Sequence, residues 1–144
     1  MRPIVTVVLL VLLAAILAAP LLAEISGVAA LPLYAAFSWI CHQRPQRTWH
    51  LGGYPLAVCV RCLGLYAGAL AGAIAGLPFF RRLFFCSMAL FAVEWLAETL
   101  TLLTPPSLAR FLVGLLAGFF LVPALWRNPE APISVLRGGS EVRA

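Results

Sequence analysis

At 144 residues, 63% hydrophobic and 10% charged, with a mean hydropathy of +1.02, the chain is too apolar for an ordinary soluble domain. Its formal charge of +5 comes from ten arginines against five glutamates, with no lysine or aspartate. The arginines sit mainly at the ends of apolar runs, where they read as topology signals and headgroup contacts. No basic–aromatic patch accompanies them, which excludes a nucleic-acid role. The expected fold class is all-α, a polytopic helical membrane bundle of four or five helices in the lipid bilayer.

The first apolar run, residues 4–23, is interrupted only by Thr6 and Pro20. Arg2 before it raises a cleaved signal peptide as the alternative, but the small-residue cleavage signal ahead of Glu24 is poor, so a retained helix or signal anchor over residues 1–27 is expected. Residues 28–40 are short and broken by Pro32, which suits either a short span or a re-entrant or interfacial helix. The third run starts near Pro55, a favoured first-turn residue, and extends to about residue 77, closed by Pro78, Arg81 and Arg82. A fourth covers 83–103 and a fifth 108–126, joined by Thr104-Pro105-Pro106-Ser107. The membrane domain thus spans residues 28–127, and residues 128–144 read as a disordered cytoplasmic tail. With that tail inside, Arg81, Arg82, Arg127, Arg137 and Arg143 are cytoplasmic, and the loop at 41–54 is external or periplasmic.

Gly64, Gly68, Gly72 and Gly76 recur every four residues in the third run, and Gly114 and Gly118 repeat the device in the fifth. Small residues at this spacing let helix backbones approach closely in lipid. They serve either contacts within the bundle, the favoured reading, or a homodimer or membrane partner.

The reactive side chains gather in one stretch, WICHQRPQRTWHLGGYPLAVCVRCLGLYAG, residues 39–68. Cys59, Cys62 and Tyr66 fall on one helical face at three- and four-residue spacing, separate from the glycine groove. Cys41 and His42 precede them by a loop's length. Three thiols and an imidazole suit a soft four-coordinate ion, Zn(II) or Cu(I), on Cys41, His42, Cys59 and Cys62, with His50 as an alternative ligand. The rival is thiol chemistry, with Cys59-x-x-Cys62 as a redox dithiol, Cys41 as resolving thiol, and Arg61, Arg44 and Arg47 lowering the thiolate pKa. A structural clamp, through metal or disulfide, is the third reading. Cys86, at the far end of the fourth run, is expected to be core packing.

Glu94 and Glu98 lie one turn apart on the fourth run. Carboxylates in hydrocarbon need partners, protonation or water. Depth matching along the helices pairs Glu98 with Arg61, leaves Glu94 deeper and able to hold a proton, and makes Arg110 a second partner.

The segments CHQRPQRTW, PLAVCVRCLGLYAG and ARFLVGLLAG, with an acidic residue in the helix between the last two, resemble DUF2085, a family of small prokaryotic integral membrane proteins. The resemblance covers roughly residues 40–118. It places Cys41, His42, Gln43, Arg47, Pro55, Cys59, Arg61, Cys62, Gly64, Tyr66, Gly68, Arg110 and Gly114 on family motif positions. Where the family usually has Asp-Gly followed by Gln, this chain has Glu94-Trp95 and Glu98. The resemblance implies a membrane protein and supplies no reaction. Three functions follow as expectations: a metal-binding or metal-clamped membrane protein, a membrane thiol oxidoreductase, or a scaffold or accessory subunit.

Overall fold

The computed structural model describes residues 2–76 and 78–125, and the tail expected at 128–144 lies outside them. Among the described residues, five helices, α1 (Arg2–Ile25), α2 (Gly27–Ser38), α3 (Val60–Ala75), α4 (Arg81–Thr99) and α5 (Ser107–Leu125), make the fold all-α. Between α2 and α3 lies a small antiparallel hairpin, β1 (His50–Leu51) and β2 (Tyr54–Pro55), preceded by a 3-10 turn at Pro45–Arg47.

α3 and α5 form the central pair, and glycines make it possible. A Cβ at Gly64 would collide with the Phe111 carbonyl, at Gly68 with that of Leu115 and at Gly72 with that of Phe119. From the other side, Gly114 abuts the Arg61 carbonyl and Gly118 that of Leu65. Both sets of numbers rise together, so the two helices run parallel with their backbones in contact. Such contact supplies dispersion that larger side chains would prevent. These five glycines serve a seam inside one chain. Gly76 does something else: at φ 60° it is the left-handed cap that stops α3.

α4 runs back in the opposite direction, packed against α5, bringing Glu98 near its end to Arg61 and Arg110 at the starts of α3 and α5. α1 lies against α3 in the opposite sense: Leu9 shares a buried cluster with Ala69 and Ala73, and Ile16 one with Leu63. One end of the bundle therefore collects the end of α1, the start of α3, the end of α4 and the start of α5. At 1.5 Å per residue the twelve residues of α2 reach only about 18 Å, too short to cross a bilayer. α2 instead folds back on α1, with Phe37 in the same cluster as Ile16 and Ala19.

Two helices, α1 and α5, are long and apolar enough to cross a membrane. α4 carries four charged residues, at its first two positions and near its end, around an apolar middle. Its outward face is apolar too, with Phe85, Val93 and Trp95 all more than half exposed.

Two sequence expectations are corrected. The third helix begins at Val60, not near Pro55, because Pro55 pairs with His50 across the hairpin and the Leu56 N–H donates to the Trp49 carbonyl (2.8 Å). Cys86 is exposed rather than in the core, since α4 buries little beyond Ser87 and Glu98.

Candidate functional site

The loop that builds the site is shaped by three local devices. Gly52 and Gly53, at φ 61° and 85°, make a two-residue turn of the kind hairpins prefer, and reverse the chain between β1 and β2. Gln43 sits at φ 45°, an uncommon conformation for a non-glycine residue. Its side-chain amide donates to the Tyr34 carbonyl (2.7 Å) and the Ala57 carbonyl (2.8 Å), which holds it there. Tyr34 adds a second tie, its hydroxyl donating to the Pro55 carbonyl (2.5 Å). One amide and one phenol thus fasten the end of α2 to the extended stretch that leads into α3.

That stretch is fully packed: Leu56, Ala57 and Val58 are buried with Ile16, Ala19 and Phe37. Cys41, itself 5% exposed, belongs to the same cluster. Cys59 and Cys62 border it and are half-buried. The outcome is convergence: the Sγ atoms of Cys41, Cys59 and Cys62 all lie within 4.8 Å of one another, and none is in a disulfide. Sulfurs bound at about 2.3 Å to one tetrahedral ion lie about 3.8 Å apart, so only a small contraction separates this trio from a ligand set. Three cysteines this close could hold a metal ion.

The Cys41 sulfur also accepts the backbone N–H of Cys59 at 3.1 Å, at the N-terminus of α3. Helix N-termini favour anions. Hydrogen bonds from the Cys59 and Cys62 side chains, with backbone N–H groups of Cys59 and Gln43, hold the Cys41 thiol well below the ordinary cysteine range despite its burial. Of the three sulfurs, Cys41 is the one set up to carry the thiolate.

His42 and His50 are exposed and do not join this group. Tyr66, one turn after Cys62, packs against the cluster as its helical spacing implied. Arg61 does not stabilise the thiolate: its guanidinium turns to the other side of α3. There it meets Glu94 (2.6 Å) and Glu98 (2.5 Å), with Phe91 beneath it at 5.9 Å.

Glu98 is the hub of this second cluster. Besides Arg61 it binds Arg110 (2.9 Å) and Arg47 of the loop (2.9 Å), with its own side chain 3% exposed. The Arg61–Glu98 pair and the Arg110 contact agree with the depth argument. Glu94 is also ion-paired to Arg61, and Arg47 joins Glu98 as a further partner. Trp49, stacked on Phe111 at 5.2 Å, adds an apolar tie between loop and α5. Tyr34 and the hairpin were missed, although the Leu51-Gly52-Gly53-Tyr54 run carries the turn signal in plain form.

Two archaeal relatives match the chain, both described as uncharacterized proteins. One, from Methanocaldococcus jannaschii, is 38% identical over 100 residues, covering 62% of this chain and 64% of the relative. The other, from Methanothermobacter thermautotrophicus, is 48% identical over 33 residues, covering 23% of this chain and 30% of the relative. The matches thus take in less than two thirds of either relative. No solved structure matches. The profile of DUF2085, described as a predicted membrane protein, matches residues 41–123, which include all three clustered cysteines and both glutamates of α4, and the chain belongs to that family.

Proposed function

We propose that this protein is a multi-pass membrane protein that holds a soft metal ion, Zn(II) or Cu(I), on Cys41, Cys59 and Cys62 at the external end of its bundle. The observation that carries this is the approach of three sulfurs from two distant parts of the chain to within 4.8 Å. Thiolate sets of this kind select zinc or Cu(I) over harder ions. The helix directions favour four crossings, α1, α3, α4 and α5, with α2 folded back at one surface. Arg2, Arg81 and Arg82 then fall at one end of the bundle and Arg44, Arg47 and Arg110 at the other. Adding Arg127, Arg137 and Arg143, which follow α5 in the sequence, gives six against three, which by the positive-inside rule favours an external or periplasmic thiol end.

Elemental analysis of protein purified in detergent without chelators tests the reading. About one zinc or copper per chain is expected, lost on Cys59→Ser; a metal-free wild type that also fails to take up either ion contradicts it.

A membrane thiol oxidoreductase is the second reading, favoured by the Cys41 sulfur at the start of α3. The Cys41 thiolate would attack a substrate disulfide, forming a mixed disulfide and releasing the substrate's other sulfur as thiolate. Cys59 or Cys62, as thiolate, would then displace the bound substrate sulfur. The internal disulfide so made carries the oxidation that the substrate loses. A mixed disulfide that accumulates in a Cys59→Ser/Cys62→Ser double variant, and not in wild type, would support this path over metal binding.

A further inference from the structure

The chain holds four cysteines and two histidines, and all six lie among the described residues. Three cysteines converge; Cys86 is exposed on α4, and neither histidine is in the group. His42 is further constrained by its neighbours. It lies between Cys41, buried at the start of α3, and Gln43, whose amide is bound to two carbonyls on different elements. Its imidazole stands exposed, outside the 4.8 Å group of sulfurs.

We infer that the metal of the proposed site is Zn(II) held by three thiolates, with its fourth position open to a small exchangeable donor from outside the chain. This rests on the metal-binding reading and adds to it the coordination and the class of ligand. Zinc prefers four ligands, and closed four-ligand sites are structural, whereas sites with three protein ligands leave a position for water or substrate. Charge favours the divalent ion over Cu(I). Three thiolates around Zn(II) sum to one negative charge, around Cu(I) to two. The neighbouring network of Arg47, Arg61 and Arg110 with Glu94 and Glu98 carries one net positive charge. Arg61 stands between Cys59 and Cys62 in the chain, so the two clusters lie within one helical turn. The zinc form leaves the pair of clusters neutral; the Cu(I) form leaves an uncompensated charge in a low-dielectric region, which is costly. The open position suits water at rest and a small neutral donor such as imidazole as a displacing ligand, which leaves the pair of clusters neutral.

X-ray absorption on the zinc-loaded, detergent-purified full chain reads the coordination directly. Three sulfurs and one lighter atom are expected, unchanged in His42→Ala and in Cys86→Ser. Addition of imidazole should replace the lighter atom by an imidazole nitrogen, with zinc and all three sulfurs retained. The cobalt-substituted protein should shift its visible spectrum over the same titration. Four chain-derived ligands, a first shell altered by His42→Ala, or a spectrum indifferent to added imidazole would overturn the open site. Stoichiometric Cu(I) with no zinc bound would overturn it while leaving the metal-binding reading intact. Failure to bind either ion would remove that reading as well.

Discussion

Gln43 holds an unfavourable backbone angle and spends both amide hydrogens on carbonyls of separate elements, Tyr34 and Ala57. Gln43→Ala keeps the strained angle and removes both hydrogen bonds to the Tyr34 and Ala57 carbonyls, at about 0.5–1.5 kcal/mol each. Lower thermal stability and weaker metal retention are expected, although every thiol remains. Wild-type metal affinity in this variant would mean that the loop needs no clamp. Cys41 makes a pH prediction. Its thiol is held below the ordinary value of about 8.5 in the folded protein, so the unfolded chain binds the extra proton between the two values. Metal-free protein should therefore gain stability as pH rises through that window and lose it on acidification. Denaturant midpoints across pH, compared with Cys41→Ser, check the sign: the variant should lack the rise. The thiol trio was legible because cysteines are rare here and crowd into one stretch. Tyr34 was not, since a lone tyrosine in an apolar helix has no readable target until the hairpin puts Pro55 beside it.

On the scale of helices, the α3–α5 seam makes the sharpest mechanical prediction. At Gly68 a methyl group would strike the Leu115 backbone, which cannot rotate away as a side chain can. Gly68→Ala should cost at least about 1–3 kcal/mol, the range for overpacking. Gly27, in α2, has nothing within 4 Å of an added Cβ, so Gly27→Ala should be neutral or slightly stabilising. Detergent thermal melts of the two variants compare them side by side, and equal melting shifts would contradict the seam. Glycine spacing identified this interface in advance. What it did not identify was the partner, because four-residue spacing is the same for a helix of the same chain and for one of a second copy. The start of α3 was misjudged for a related reason. Pro55 fits a helix's first turn and equally the end of a hairpin strand, and only the pairing with His50 decides between them.

Across the whole molecule, one carboxylate joins four pieces of chain. Glu98 on α4 binds Arg61 on α3, Arg110 on α5 and Arg47 in the loop. Glu98→Ala strands Arg61 and Arg110 with partly paired or unpaired buried charges, a loss on the order of 3–5 kcal/mol. Arg47 is more exposed, and Arg47→Ala should cost about 1 kcal/mol or less. A loss in Arg47→Ala as large as in Glu98→Ala would place the loop, rather than the helix ends, at the centre of the network. The helical class and most helix positions were readable from apolar runs and prolines. The folding of α2 back on α1 was not, because twelve apolar residues sit in the length range where a short span and a folded-back helix look alike.

The proposed metal site needs Cys41 to reach the two later cysteines, and metal content per chain in single serine variants tests that directly. About one ion per chain in wild type and Cys86→Ser, and almost none in Cys41→Ser, Cys59→Ser or Cys62→Ser, is the predicted pattern. Full metal content in Cys41→Ser would contradict it.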